Sequence, residues 1–423
     1  MKRIALLLLL LTLPLLLLAA CQGDTPPADT DGGSGTAAPD GGQATDPADP
    51  DGVTADQSGG SSEEPTEEAT EPDSAPDAPD VMTRNPVYPT PLELTYGATD
   101  IPVAAVTPNE AAADYIHLLA DCGVTASEGG LPLTVTLRDM DEFSYGAEEA
   151  YCLTVSESGI TVEAQTDRGV YYAFMTLRQM IAEGKCPAAA VKDAPRNPLR
   201  GVIEGFYGAA WTHEYRKELF AFMGDYKMNA YIYAPKDDPK HRAQWRSRYT
   251  GAELERMTDL ITAAGESRVK FIYAISPGGD INLGSGYEAD FKKLMAKCEQ
   301  IYELGCRDFA IFLDDIPTLD AEGHAKLLND FQTQFVQTHE GVSDLIAITT
   351  EYTDPFLTSY TDKIAPLIHE DVILMWTGPG VVPETITNAS LKTIIRKYGR
   401  NVLIWWNYPV NDVLVNNLYM GAC

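Results

Sequence analysis

Two adjacent carboxylates, Asp314 and Asp315, stand directly after an apolar run at residues 309–313. The aromatic and β-branched residues of that run predict a fully buried strand. Aspartate is almost never buried unless it is paired or used, and neighbouring carboxylates raise each other's proton affinity, which suits one of them to act as an acid. The alternative is that one aspartate caps the following helix while the other faces water, which is the commoner outcome for an isolated dipeptide.

The elements that must position these carboxylates alternate along residues 197–423, where apolar runs typical of strands separate amphipathic stretches typical of helices. The predicted strands are 200–206, 229–235, 269–275, 308–313, 346–351, 371–376 and 401–406. The predicted helices lie near 213–226, 252–266, 288–304, 322–338, 357–368 and 389–398. Seven such units predict an α/β fold with a parallel sheet, and they favour a (β/α)₈ TIM-type barrel over an open doubly wound sheet.

The eighth unit of this barrel is missing from the sequence. Residues 197–423 number 227, near the lower end of the roughly 200 to 400 residues that the fold uses. We therefore expect a catalytic barrel over 196–423 that is truncated at its C-terminus; the alternative is a barrel closed in an unusual way.

The residues just after each predicted strand carry an unusual density of polar and aromatic groups. These are the positions where such barrels place their active sites. They include 205–208, 236–238, 276–280, 314–315, 351–352, 376–377 and 405–407, with Asp412 beyond them. Carboxylates and amides that can hold hydroxyls, beside rings that can cover a sugar face, favour a carbohydrate pocket over a phosphate site. For a single residue such as Lys236 or Asn407, a surface salt bridge or a turn is the simpler interpretation. The evidence for a carbohydrate pocket is that all seven strand ends carry such residues.

A small α+β domain is predicted over residues 87–195, before the barrel. Residues 109–120 have the pattern of a helix, 131–137 of a strand, and 151–155 with 160–164 of a hairpin. Residues 166–182 have helical spacing, with Tyr171, Phe174, Leu177 and Met180 on one face. None of these elements carries a candidate catalytic motif.

The first 20 residues have a basic head and a Leu-rich run, and they predict a secretory signal peptide. The run is too short for a membrane span of about 20 residues. Residues 18–21 resemble a bacterial lipobox, which implies cleavage before Cys21 and lipid attachment to its sulfur; the alternative is an ordinary signal with an incidental cysteine. We expect a lipoprotein anchored to the outer face of a membrane.

Residues 21–86 predict a disordered acidic linker, since the segment is too polar to form a core. Residues 22–80 carry 16 acidic side chains and no Lys or Arg, which leaves −15 of the total formal charge of −31 for the rest of the chain. With a moderately acidic folded part and no basic cluster, the sequence argues against a nucleic-acid partner.

Metal and nucleotide motifs are absent from the sequence. The three His-Glu pairs lack the second histidine of a metalloprotease helix, and two short glycine-rich loops lack the third glycine of a dinucleotide site. The cysteines after Cys21 show no metal spacing, and their pairing stays open between disulfides and buried thiols. We expect neither a metal nor a cofactor.

Seven ordered segments resemble glycoside hydrolase family 84, whose members are retaining β-N-acetylglucosaminidases that include the O-GlcNAcases and enzymes called hyaluronidases. They are residues 200–208, 231–239, 273–278, 309–316, 350–352, 375–380 and 405–409. Residues 151–155 and 169–173 also resemble the non-catalytic domain that precedes the barrel in several hexosaminidase families.

The resemblance implies substrate-assisted hydrolysis, in which the sugar's own acetamido oxygen attacks the anomeric carbon and forms an oxazoline. It assigns Asp314 to the acetamido N–H and Asp315 to proton transfer to the leaving oxygen. It assigns substrate binding to Gly205, Lys236, Tyr352, Trp405, Asn407 and Asp412, and it implies a further asparagine from beyond residue 423.

Two functions remain open from the sequence. The first is a surface lipoprotein that removes terminal β-linked N-acetylglucosamine from glycoproteins or glycans. The second is a catalytically weak or inactive carbohydrate-binding lipoprotein, made so by the missing eighth unit. The sequence identifies neither the aglycone nor the oligomeric state.

Overall fold

The computed structural model describes residues 86–407 of the chain. The signal peptide, Cys21, the acidic linker up to residue 85, and Asp412 lie outside the described residues, so the statements about them stay predictions. Within residues 86–407, no helix combines the length and the hydropathy that crossing a bilayer requires.

The first part of the described chain is a seven-stranded mixed sheet. Its strands are β1 (Glu93–Pro102), β2 (Ala105–Pro108), β3 (Thr125–Ala126), β4 (Leu131–Leu137), β5 (Tyr151–Ser156), β6 (Gly159–Ala164) and β7 (Lys185–Asp193), with helices α1 (Glu110–Ala113) and α2 (Asp167–Met180). The spatial order of the strands is β1-β7-β5-β6-β4-β2-β3. The predicted hairpin is confirmed as the antiparallel pair β5–β6. The buried face of α2 contains the four predicted residues Tyr171, Phe174, Leu177 and Met180.

The helix predicted over residues 109–120 is wrong in type and length. The α-helix covers only Glu110–Ala113, and a 3₁₀ helix follows at Ile116–Cys122. The change falls at Tyr115, whose ring stacks on Phe174 of α2 with ring centroids 5.2 Å apart. Packing against a neighbouring helix thus replaces the local helical preference.

The second sheet contains seven strands, and all neighbouring pairs are parallel. Its strands are β8 (Gly201–Glu204), β9 (Ala230–Tyr233), β10 (Lys270–Ile275), β11 (Asp308–Phe312), β12 (Ile346–Ile348), β13 (Ile373–Trp376) and β14 (Val402–Ile404). The helices between them are α3 (His213–Asp225), α4 (Ala252–Glu266), α5 (Tyr287–Glu303), α6 (Ala321–Gln334), α7 (Ser359–Ile364) and α8 (Asn388–Tyr398).

The strands of the second sheet lie side by side in chain order, each joined to the next through a helix. This arrangement confirms the predicted α/β fold, a TIM-type barrel preceded by an α+β domain. All seven strands and all six helices fall where the alternation of the sequence predicts them. Among the described residues, β8 and β14 are the two edges of the sheet.

The strands of the second sheet separate two apolar layers. In β11, Phe309 and Ile311 belong to the cluster between the sheet and its helices, while Ala310 and Phe312 belong to the cluster inside the barrel. Because successive side chains of a strand point to opposite faces, this alternation fixes which later residues can face the interior. Leu313 packs in the outer cluster, so the next position, 314, falls on the inner side.

Polar contacts join the two domains. Glu149 of the first domain accepts from Arg200 Nη1 at 2.8 Å and from Asn229 Nδ2 at 2.8 Å. The buried ammonium of Lys227 donates to Asp193 at 3.0 Å and to the hydroxyl of Tyr151 at 2.8 Å. These contacts fix the first domain to the chain segments that lead into β8 and β9.

A buried ion pair ties β8 to α3. Glu204, the last residue of β8, is fully buried and accepts from Arg216 Nε at 2.8 Å and Nη2 at 2.7 Å. The same carboxylate accepts the backbone N–H of Trp211 at 2.9 Å. The loop over residues 205–211 is therefore held at both ends by one carboxylate.

We expect Arg216→Met to destabilise the protein by about 3–5 kcal/mol, because it leaves the Glu204 carboxylate buried without its cation. Chemical denaturation followed by circular dichroism would measure the loss. Lys217→Met is the matched control on the same helix, since Lys217 pairs with Asp259 at 2.9 Å on the surface and should contribute little. Similar midpoints for the two variants would contradict a structural role for the buried pair.

Candidate active site

Both adjacent carboxylates reach the inside of the barrel, although a regular strand would place them on opposite faces. Asp314 continues the inner series of β11 and is 3 % exposed. Asp315 adopts a left-handed backbone conformation with φ of 55°, which is uncommon for a residue other than glycine. This turn ends the alternation and brings the side chain of Asp315 to the same cavity.

Asp314 shares its carboxylate between a cation and the cavity. Its Oδ2 accepts a hydrogen bond from the ammonium of Lys236, which follows β9 and has a buried side chain. Among the described residues, its buried Oδ1 has no hydrogen-bond partner. Buried polar atoms are normally satisfied, so an acceptor left over beside a cavity indicates a ligand donor.

Asp315 is held by two phenol groups. Its Oδ1 accepts from the hydroxyl of Tyr352 at 3.0 Å, and its Oδ2 accepts from the hydroxyl of Tyr207 at 2.8 Å. Lys236 Nζ lies 4.0 Å from Asp315 Oδ2. About a third of the Asp315 side chain is exposed. Burial and the neighbouring Asp315 raise the pKa of both Tyr352 and Tyr207, so both phenols stay protonated and donate.

These residues line a cavity of about 990 Å³ at the carboxyl ends of the strands and along the barrel interior. All seven described residues that the sequence analysis assigned to the site line it: Gly205, Lys236, Asp314, Asp315, Tyr352, Trp405 and Asn407. The structure therefore brings them together, while Asp412 lies outside the described residues. Four further aromatic residues extend the lining: Phe206, Tyr207, Trp211 and Trp406.

Trp405 forms one wall of the cavity. Its ring stacks on Phe312 of β11 with centroids 5.6 Å apart. A Cβ at position 205 would lie 2.8 Å from Cζ2 of the indole, so glycine is required where β8 ends against this ring. Nearby, Asn407 Nδ2 donates to the carbonyl of Val381 at 3.0 Å, which fixes the orientation of the amide.

Three residues that shape this site had no role assigned to them from the sequence. Tyr207 stands in the predicted loop after β8, where a hydroxyl beside a strand end is a usable signal. Arg242 contacts both Tyr207 and Asp315, but it lies nine residues past β9 and outside any periodic pattern. Glu351 follows β12 and accepts backbone N–H groups of Thr358 at 2.7 Å and Thr361 at 3.1 Å.

Glu351 stays ionised despite its burial. Burial acts to raise the pKa of its carboxyl, but the hydrogen bonds from Thr358 and Thr361 outweigh that effect and hold the pKa below its ordinary value. The carboxylate thereby anchors the start of α7 beside Tyr352. Its role is to support the site, since its oxygens are used within the protein.

A neutral histidine packs against Phe312, the last residue of β11. His241 is fully buried, its ring is nearly perpendicular to the ring of Phe312, and its Nδ1 lies 2.8 Å from the carbonyl oxygen of Ala274. A carbonyl oxygen only accepts, so Nδ1 carries the hydrogen and Nε2 is an acceptor. Burial lowers the pKa of this imidazole to about 4, which keeps a second cation away from Lys236.

The arrangement suits proton transfer and charge stabilisation at a sugar. Asp314 is buried against the Lys236 ammonium and has one oxygen without a partner among the described residues. Asp315 is partly exposed and is oriented by two hydroxyl donors. Two carboxylates in different environments can divide acid and electrostatic roles between them. Within residues 86–407, no group of three or more His, Cys, Asp or Glu side chains is arranged to hold a metal ion.

Comparison with known protein families gives two matches that together span almost all of the described chain. The model of a family described as beta-N-acetylglucosaminidase matches residues 200–423. The model of domain 2 of glycosyl hydrolase family 20 matches residues 85–194. The boundary between the matches falls between the two sheets.

Curated relatives match parts of the chain. Protein O-GlcNAcase of Mus musculus is 37% identical over 254 residues, which are 55% of this chain and 27% of the mouse protein. Beta-N-acetylhexosaminidase of Cellulomonas fimi is 32% identical over 130 residues, which are 30% of this chain and 26% of that protein. The chain thus spans about a quarter of the length of these relatives.

Solved structures match a larger share of the chain than these curated relatives do. The structure of CpGH84B superposes with a TM-score of 0.72 and 36% sequence identity, covering 78% of this chain and 62% of that chain. The structure of CpGH84D superposes with a TM-score of 0.69 and 25% identity, covering 78% of this chain and 61% of that chain.

The stability of the protein should fall as the pH drops from about 6.5 to about 4. In that range the unfolded state protonates His241 and the folded state does not, so the stabilisation present above pH 6.5 is lost towards the folded pKa of about 4. The loss is on the order of 3 kcal/mol at most. Denaturation at stepped pH should give a shallower decline for His241→Gln, and equal declines would contradict the buried neutral histidine.

Proposed function

This chain belongs to glycoside hydrolase family 84, the β-N-acetylglucosaminidase family, and on that basis we propose that it hydrolyses terminal β-linked N-acetylglucosamine from glycoproteins or glycans. The observation that carries the proposal is the pair at the end of β11. Asp314 keeps one buried oxygen without a partner among the described residues, and Asp315 beside it is oriented by two phenols and open to the cavity.

In the proposed mechanism, Asp314 binds the substrate's acetamido group. Its Oδ1 accepts the amide N–H, and its negative charge stabilises the positive charge that develops as the acetamido oxygen attacks the anomeric carbon. The Lys236 ammonium on Oδ2 keeps the carboxylate in place. The sugar supplies its own nucleophile, and an oxazoline forms with loss of the leaving group.

Asp315 performs the proton transfers in this proposal. Its carboxyl first gives a proton to the leaving glycosidic oxygen, and the resulting carboxylate then takes a proton from the water that attacks the anomeric carbon. Partial exposure supports this role, because the group must meet both the aglycone and water. Two inversions at one carbon leave the product with the β configuration of the substrate.

The remaining residues of the cavity are proposed to hold the sugar. Trp405 offers an apolar wall, and the close approach of Gly205 leaves its backbone within the cavity. Lys236 and Asn407 carry donors for sugar hydroxyls, with Asp412 assigned by family resemblance alone. Tyr352 is proposed by the same resemblance to bind the acetamido oxygen, and its hydroxyl hydrogen, which Asp315 accepts in this structure, must turn to the substrate for that contact.

Release of an aryl group from an aryl N-acetyl-β-glucosaminide tests the proposal directly. Turnover by the full chain would support it. Binding of N-acetylglucosamine without turnover would overturn it in favour of the carbohydrate-binding alternative.

Asp315→Asn should separate substrates by their leaving groups. For an alkyl N-acetyl-β-glucosaminide, which needs a proton on its leaving oxygen, we expect kcat/KM to fall by about 10²–10⁴-fold. For the dinitrophenyl glycoside, which leaves without a proton, the first step should be almost unaffected. Equal losses for both substrates in steady-state assays would refute the acid role.

Asp314→Asn should instead slow both substrates, since the acetamido group must attack whatever the leaving group is. We expect a loss of about 10²-fold or more in kcat for each. Asp308→Asn is the matched control, because Asp308 begins the same strand and pairs with Lys270 at 3.1 Å, away from the cavity. Unchanged rates in Asp314→Asn would remove this residue from the mechanism.

A further inference from the structure

Arg242 contacts two parts of the Asp315 environment at once. Its Nη1 donates to the hydroxyl oxygen of Tyr207 at 2.7 Å, and its Nη2 donates to the backbone carbonyl oxygen of Asp315 at 3.0 Å. The guanidinium also lies over the ring of Tyr207, 5.6 Å from its centroid. On the basis of the proposed function, we propose that Arg242 is a positioning residue that fixes the conformation and hydrogen bonding of the acid Asp315.

The backbone of Asp315 needs such support. Its φ of 55° is in the left-handed region, which costs a non-glycine residue roughly 1–2 kcal/mol. If the residue returned to an extended conformation, strand alternation would turn its side chain away from Asp314 and the cavity. A donor on the carbonyl of Asp315 resists that rotation, because the hydrogen bond is lost when the peptide turns.

Arg242 also sets the direction of the hydrogen bond between Tyr207 and Asp315. A guanidinium donates and never accepts, so the Tyr207 oxygen must accept from Nη1. Its single O–H hydrogen is then left for Asp315 Oδ2 at 2.8 Å. The arginine thus keeps Tyr207 a donor towards the acid.

The two phenols in turn constrain where Asp315 can carry its acidic proton. Before a substrate binds, Tyr207 donates to Oδ2 and Tyr352 donates to Oδ1, so each oxygen already uses one lone pair as an acceptor. A proton on either oxygen must occupy the remaining lone pair. In this state the two phenols therefore select the orientation in which the acid donates towards the cavity rather than to Tyr207 or Tyr352.

A lysine at position 242 cannot reproduce the two contacts of Arg242. The planar guanidinium spans two acceptors with a rigid fork, whereas an ammonium is a point charge on a flexible stem. Arg242→Lys keeps the charge near Asp315 but makes at most one of the two contacts well. The pair Arg242→Met and Arg242→Lys therefore separates the charge of the residue from its shape.

The kinetic test uses the alkyl and the dinitrophenyl N-acetyl-β-glucosaminides. We expect Arg242→Met to lower kcat/KM for the alkyl substrate about 10- to 100-fold, because a small misplacement of a catalytic group has effects of that order. The loss for the dinitrophenyl substrate should stay below about threefold, since that leaving group needs no acid. Arg248→Met, an exposed arginine on the same segment, is the control and should change neither value.

The lysine variant and a double variant complete the kinetic test. Arg242→Lys should retain most of the loss on the alkyl substrate, and full recovery would overturn the positioning role in favour of a simple charge effect. Tyr207→Phe combined with Arg242→Met should lose less than the product of the single losses, because both act through Asp315. Losses that multiply, or equal losses on both substrates, would also overturn the proposal.

A crystal structure of Arg242→Met tests the same idea without turnover. We expect the Asp315 carboxylate to lose its contact with Tyr207, Tyr352 or both, or its φ to leave the left-handed region. An unchanged Asp315 with both hydrogen bonds intact would overturn the positioning role. If the unmutated protein cleaves neither substrate, the proposed hydrolysis fails, and the crystal structure still decides whether Arg242 positions Asp315.

Discussion

The site depends on a reversal of the backbone at one residue. A parallel strand sends consecutive side chains to opposite faces, so two adjacent acids at its end should separate, one into the barrel and one towards the helices. The left-handed conformation of Asp315 prevents this separation. Asp314 follows the inner register of β11, and Asp315 turns back to join it. Aspartate tolerates this conformation better than most residues, which suits the choice of residue type at this position.

Different surroundings then give the two identical side chains different properties. Asp314 is enclosed and shares its charge with Lys236, whereas Asp315 is partly open and is oriented by neutral hydroxyls. Glu204, Glu351 and His241 support the loops that carry these partners. Three of the loops that follow strands thus contain a buried polar group whose hydrogen bonds stay within the protein, and the same loops carry groups that face the cavity. The strands of the barrel provide rigid attachment points, and the loops that follow them carry the functional side chains.

Much of this organisation could be predicted from the sequence, because the apolar runs of the second sheet are buried on both faces and are separated by helical patterns. Residues 309–313 show this clearly. The conformation of Asp315 could not be predicted, since neither the strand pattern nor the residue type requires it. Arg242 could not be predicted for another reason. Its role depends on a contact with Asp315, 73 positions away in the sequence, and Arg242 belongs to no helical or strand pattern of its own. The Ala-rich β7 also lacks the alternation that identifies a strand, and its pairing with β1 and β5 alone defines it.

The polar contacts between the two domains affect how the protein can be divided. Arg200 is the residue before β8 and Lys227 lies just before β9, and both are neutralised by carboxylates of the first domain. A barrel expressed without that domain would lose both carboxylate partners and expose this ammonium and guanidinium at the base of its first two strands, which lead to the loops of Gly205 and Lys236. The small domain therefore supplies the carboxylates that pair with two basic residues of the barrel, and the two domains should be expressed together.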